Sequence, residues 1–181
     1  SHISGGDRSE TSNRLSKGMS ADNFSGFSLQ AFQLYPNSRG SIHIRSKNPE
    51  DLPIINANYL THKNDQKAVV NALKLLRGLA KQNALSDLTV REVRPGKEIT
   101  TDKDLLEYAK ATGHTCWHAV STCKMGTDKM AVVNSKLKVH NMPNLRVADA
   151  SVMPILVSSN TNAPSIMIAE RCSDFIKSEY R

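Results

Sequence analysis

At 181 residues with 39 % hydrophobic side chains, the chain can fill the core of one ordinary domain. Its net charge of +7 raises nucleic acid or anionic lipid as a partner, but the basic residues are dispersed and no aromatics interleave them. That pattern points to a solvated basic surface and no nucleic-acid partner. No apolar run reaches the length of a membrane span and no signal-peptide core stands at the N-terminus, so neither is expected.

Residues 1–22, SHISGGDRSETSNRLSKGMSAD, are polar and short of apolar anchors. They read as a flexible lead, an expression remnant or the worn end of a longer chain. Phe27, Leu29 and Ala31 then alternate with polar neighbours, YPNSRG turns the chain, and Ile42 and Ile44 alternate again. A strand, a turn and a second strand are expected there. NPEDLP is another turn, and IINANYL a short extended piece.

From Asn64 the period changes, because Val69, Ala72, Leu73, Leu76 and Ala80 share one helical face. The spacing predicts a helix over 64–85, capped by Asn64 or Asp65. RPG interrupts, and ITTDKDLLEYAKATG predicts a second helix, capped at Thr100 or Thr101 and closed by Gly113. Further on, NLRVADASVMP reads as a short buried strand over 145–148 that ends on Asp149. NAPSIMIAERCSDFIKSEY reads as a closing helix with Pro164 in its first turn and Ile168, Cys172, Phe175 and Ile176 turned inward.

Three cysteines, Cys116, Cys123 and Cys172, form no C-x-x-C pair, so neither a disulfide framework nor a zinc site is implied. Reduced, buried thiols in a cytoplasmic setting are expected. The stretch HAVSTCKMG, residues 118–126, places one histidine beside small polar residues and a thiol. From these residues alone His118 is open between a general base, a metal ligand with Cys123 and a packed core histidine. A second pair of ligands at suitable spacing is missing, so no metal is expected.

Three pieces now stand in order along the chain: HAVSTCKMG, VVNSKLKVHNMPNLRVADASVMP and SSNTNAPSIMIAERCSDFI. Together they resemble the end of a glucose–methanol–choline (GMC) flavin oxidoreductase. Upstream, YPNSRGSIHIRSKNPEDLPIINANYL is similar to that family's substrate-domain strands. The resemblance implies an α/β fold with an α+β substrate domain. Residues 23–114 would be part of the substrate-binding domain, an antiparallel sheet plus helices. Residues 115–181 would return to the FAD-binding domain as its last strand and helix. Nothing in the chain reads G-x-G-x-x-G, the phosphate-cradling turn of a dinucleotide fold. The chain therefore resembles the C-terminal part of such an enzyme, and its implied partner is the N-terminal FAD-binding part, as a separate chain or a missing segment.

The same resemblance implies FAD as cofactor, a small-molecule alcohol as substrate and oxidation of that alcohol to a carbonyl. Such chemistry needs a base for the hydroxyl proton and a second polar group to hold the oxygen. His118 falls at the family's catalytic histidine. Asn160 falls at its second site residue, where an amide cannot act as base but can hold a developing alkoxide; without the resemblance it could equally be a loop residue or a cap. Asp149 and Ala150 would lie against the FAD ribityl and pyrophosphate, unless Asp149 is merely a turn acid. Asn162 and Ala163 open the last helix, whose positive end suits negative charge on a reduced flavin. Trp117, the only tryptophan, would wall the pocket beside His118 or pack in the core.

Two positions depart from the family pattern. Ser121 stands where glycine is usual, so the turn after His118 would differ if it needs positive φ. Asn134 replaces a common aspartate and is expected to matter little. His43, His62, His114 and His140 receive no role. A lyase or light-driven relative that keeps FAD, and a non-catalytic subunit needing an N-terminal partner chain, are the alternative readings.

Overall fold

The computed structural model describes residues 24–158 and 160–180, so the polar lead expected over 1–22 lies outside the described residues. The chain forms two units. One takes the described residues up to Gln33 together with Leu60–His114, and the other takes Leu34–Tyr59 with the described residues from Thr115 onward.

The first unit is helical. Helix α1 (Lys63–Ala80) runs 18 residues and begins at His62, whose backbone is extended and whose Nδ1 accepts the Asn64 N–H at 3.1 Å. The cap is thus earlier than the expected Asn64 or Asp65. Asp65 is instead turned inward, 1 % exposed, where it accepts from the Gln33 amide at 2.8 Å. Burial of a carboxylate requires such partners, so this side chain belongs to the packing and not to the helix end. Val69, Ala72, Leu73, Leu76 and Ala80 are half-buried on one face as their spacing predicts, with Val70 buried beside them. The helix expected to reach residue 85 stops at Ala80, because Gln82 turns extended (φ −70°, ψ 149°) and opens a separate short helix, α2 (Asn83–Ser86).

Helix α3 (Asp102–Thr112) packs on α1 through Leu105 and Ala109, one turn apart on the same face and both buried. Thr101 caps it by accepting the Asp104 N–H at 3.1 Å, and its hydroxyl donates to the Asp104 carboxylate at 2.7 Å. At the other end Gly113 closes the helix on the Ala109 carbonyl at 2.8 Å, and a Cβ there would stand 2.4 Å from that oxygen. The loop between is tied to α1 by Arg77. Its guanidinium donates to the Glu92 carboxylate and to the carbonyls of Gly96 and Ile99.

The second unit holds two small antiparallel sheets. Strands β1 (Ser41–His43) and β2 (Ile54–Asn56) pair with Ile42 opposite Ile55. The strand expected at Phe27, Leu29 and Ala31 does not form: those residues join no ladder among the described residues, and alternation without a neighbouring strand does not make a strand. Strands β3 (Lys138–Val139) and β4 (Met142–Arg146) form the other sheet. The bend before β3 is held by Asn134, whose amide oxygen accepts from the N–H groups of Lys136 and Lys138 at 2.9 and 3.1 Å. An aspartate oxygen would accept the same bonds, which is why the exchange is tolerated.

The strand expected over 145–148 as a buried run is displaced to Met142–Arg146 and is half-open, with Leu145 46 % exposed. Among the described residues β3 is its one hydrogen-bonded neighbour. Val147 and Ala148 instead leave the ladder and pack against a core of Val133, Leu137, Val152, Met153, Ile168 and Cys172.

The closing helix α4 (Asn162–Glu179) lays Ile168 and Cys172 into that core, with Phe175 partly buried against it. Ile176 is exposed rather than inward, since eight residues after Ile168 a helix has turned about 80° away. Its last turn is clamped to β3 and β4 by Glu179, which pairs with Lys138 and Arg146. The Lys138 ammonium, with Arg146 adding, holds the Glu179 carboxyl below the usual range. All three cysteines are free thiols, but Cys172 alone is buried and Cys116 and Cys123 are intermediate, because the latter two lie in the irregular segment before β3. Helices with small antiparallel sheets match the expected α/β and α+β mixture. No helix among the described residues is long and apolar enough to cross a membrane.

Replacing Thr101 by alanine removes the α3 cap and is expected to destabilise the fold by about 1 kcal/mol, with Thr101→Ser close to wild type. Chemical denaturation of the three proteins side by side checks this.

Candidate active site

The segment after His118 is fastened before the histidine itself is. Cys123 N donates to the Ser151 carbonyl at 3.0 Å and Met125 N to the Val152 carbonyl at 2.8 Å. These bonds lay residues 121–125 along the short 3-10 turn Ala150–Val152. That turn starts at Asp149, whose carboxylate accepts the Ser151 N–H at 2.8 Å. Asp149 is therefore a turn acid within this chain, and this bond uses one of its two carboxylate oxygens. Asp149 and Ala150 are thereby brought onto the same stretch of backbone that anchors the His118 segment.

Two residues in this segment sit in the left-handed region: Trp117 at φ 61° and Ser121 at φ 71°. They bracket His118, Ala119 and Val120. A side chain there costs about 1–2 kcal/mol relative to right-handed backbone, and such positions concentrate at functional sites. Ser121 therefore occupies the positive φ for which glycine would be the unstrained choice. It is held there by its hydroxyl, which donates to the Met153 carbonyl at 2.7 Å and lies 3.2 Å from that of Pro154. The serine thus substitutes a side-chain tether for conformational freedom. Trp117 is 77 % exposed, so the packed-core reading does not hold within this chain.

The imidazole of His118 is gripped on both sides by the entrance to α4. Asn160 Nδ2 stands 3.0 Å from Nε2, and Thr161 Oγ1 stands 2.8 Å from Nδ1. With both ring nitrogens engaged in this way, neither is turned toward Cys123. Nor does any group of three or more His, Cys, Asp or Glu suited to a metal occur among the described residues. The thiol of Cys116 is pushed up by burial, which lowers its thiolate fraction at neutral pH.

Asn160 is itself oriented. Its Oδ1 accepts the Asn162 N–H at 2.8 Å, so the amide nitrogen is the end that faces the histidine. Asn160 thereby acts as a cap and a site neighbour at once, two roles that were alternatives in the sequence. Thr161, at the N-cap position of α4, makes no side-chain cap bond; its hydroxyl goes to His118 instead, and it is buried at 7 % exposed. Sequence reading missed this residue. The signal available was a hydroxyl side chain just before a helix, which suggests a cap and not a histidine contact. Asn162 and Ala163 form the first turn of α4, where no acidic side chain stands. The Ala163 N–H has no acceptor within the helix, as is general for a first turn. Pro164 follows without an N–H at all.

This geometry lies inside a recognised sequence family. Residues 36–169, most of the chain, match the family model described as GMC oxidoreductase. The chain belongs to the GMC oxidoreductase family. It is 40 % identical over 152 residues to an oxygen-dependent choline dehydrogenase of Pseudomonas syringae pv. tomato, covering 84 % of this chain and 27 % of that protein. It is also 40 % identical over 151 residues to an alcohol dehydrogenase [acceptor] of Pseudomonas putida, covering 83 % and 27 %. Among solved structures, it is similar to an FAD-dependent oxidoreductase from Chaetomium thermophilum, with a TM-score of 0.77, 32 % identity and coverage of 82 % and 26 %. This GMC chain thus spans about a quarter of the length of the relatives it matches. Trp117, His118, Asp149, Ala150, Asn160, Thr161, Asn162 and Ala163 all fall within the matched span.

If the Ser121 tether offsets left-handed strain, the two small replacements will differ. Ser121→Ala keeps the strain and loses a hydrogen bond worth about 1 kcal/mol. Ser121→Gly loses the same bond but releases strain, and is expected to be about 1 kcal/mol more stable than Ser121→Ala. Denaturant midpoints of the two variants measure the difference.

Proposed function

We propose that this chain is the part of an FAD-dependent oxidoreductase that oxidises a CH–OH group of a small alcohol to a carbonyl. The observation that supports it most is the pair of nitrogens, His118 Nε2 and Asn160 Nδ2, standing 3.0 Å apart with the amide direction fixed. An alcohol oxygen set between the two would replace the amide N–H at the Nε2 lone pair, give its proton to that nitrogen and accept from the Asn160 amide instead. His118 is then the base and Asn160 the group that orients the oxygen and stabilises its developing negative charge. Relatives named for choline and for alcohols agree with a hydroxyl donor.

The residues present fit FAD on two counts. The first turn of α4 offers the Ala163 N–H and no competing acid, which suits an electron-rich oxygen. Asp149 keeps one carboxylate oxygen beyond its cap bond for a hydroxyl of the ribityl chain. Asp149, Ala150, Asn162 and Ala163 are the residues that would hold the cofactor. When bound, FAD accepts the hydride at N5. Trp117 would present its exposed ring to the substrate.

In the same reading, residues 23–114 contribute to the substrate-binding domain and residues 115–181 to the FAD-binding domain. The N-terminal FAD-binding part of the enzyme is the partner that completes the site. A cytoplasmic location fits the three free thiols.

In the whole enzyme, His118→Ala is expected to slow reduction of the flavin by an alcohol by about a hundredfold or more. Asn160→Ala should slow it by about the same factor through loss of oxygen stabilisation. Stopped-flow bleaching of the flavin band checks both, and near-normal reduction in His118→Ala would remove the base assignment.

A further inference from the structure

The hydrogen bonds around His118 determine more than its position. The Asn162 N–H needs an oxygen acceptor, and the acceptor it has is Asn160 Oδ1 at 2.8 Å. Turning the Asn160 amide over would lose that bond and set its NH2 against the N–H. Its Nδ2 group, which only donates, is left facing His118 Nε2 at 3.0 Å. Nε2 must then supply a lone pair. In a neutral imidazole the proton sits on the other nitrogen, Nδ1, and the group beside Nδ1 is Thr161 Oγ1 at 2.8 Å. A hydroxyl can accept as well as donate, so Thr161 receives that N–H.

We infer that Thr161 is a positioning residue that holds His118 as the Nδ1–H tautomer, leaving the Nε2 lone pair beside Asn160. The inference rests on the reading of His118 as the base, and gives that base its active form. Thr161 is suited to the task by three features. It is buried at 7 % exposed, so its hydroxyl is largely withdrawn from water. Its hydroxyl makes no helix-cap bond. Its carbonyl is fixed by the Ser165 N–H at 3.0 Å and the Ser165 hydroxyl at 2.7 Å, which keeps the backbone beneath the side chain in place. An Nδ1–H left without an acceptor there carries a desolvation penalty that works against the bonds favouring the tautomer.

The test uses the whole enzyme carrying 15N-labelled histidine, with the His118 ring assigned from the signals that vanish in His118→Ala. Two-bond ring correlations read the tautomer directly, without reference to activity. Thr161→Val keeps the shape and burial but removes the acceptor, and Thr161→Ser restores it. The wild type and Thr161→Ser should show one Nδ1–H form. Thr161→Val should show a mixture of tautomers, with kcat lowered about tenfold or more and KM little changed. A wild-type ring protonated at Nε2, a single Nδ1–H form retained in Thr161→Val, or a wild-type kcat in that variant would each overturn the proposal. Failure of the base reading is separate: it would appear as undiminished alcohol oxidation in His118→Ala, whatever tautomer the ring shows.

Discussion

Two backbone hydrogen bonds, from Cys123 to the Ser151 carbonyl and from Met125 to the Val152 carbonyl, are the constraint on which the site depends. They join a loop to a turn almost thirty residues further along the chain, and each side of that seam holds part of the chemistry. On one side is the strained segment with His118; on the other is Asp149 with Ala150. Val152 and Met153 continue from the turn into the core and pack with Val133, Leu137, Ile168 and Cys172. Burial of these side chains removes apolar surface from water, and that drives the seam closed. The left-handed backbone at Ser121 is held by its hydroxyl tether to Met153, a residue of that core.

Helix α4 serves the same centre from the opposite direction. Ile168 and Cys172 seat the helix on the core, and Glu179 clamps its far end through Lys138 and Arg146. With both ends fixed, the residues just before the helix are fixed as well. Asn160 answers the first N–H of the helix while Thr161 turns to the histidine. A helix entrance always leaves several N–H groups without internal partners. Here that general deficit orients an amide, and the amide in turn orients an imidazole.

The sequence made some of this legible and left the rest dark for definite reasons. Helices α1 and α3 follow from a 3.6-residue apolar period, and Thr101 and Gly113 from their suitability as caps. The α1 cap was misplaced because Asp65, the better capping type, is held inside by Gln33, a residue thirty-two positions away. The strand expected over 145–148 moved because its ladder is set by the partner strand β3, whose two residues carry almost no pattern of their own. Ile176 was placed inward from spacing, yet the core ends before the helix turns that far.

By itself the sequence determined the family, through three ordered pieces whose residue types and spacing are specific, and with it His118 and Asn160 as the residues to watch. The resemblance also flagged Ser121, which stands where the family usually has glycine, as a position where positive φ would matter. What the sequence could not contain was the direction of each hydrogen bond. That Asn160 presents its nitrogen and not its oxygen, and that Thr161 serves the histidine and not the helix, were decided by the tertiary structure. The reason is physical: an amide or a hydroxyl both donates and accepts, and only its neighbours in space select which.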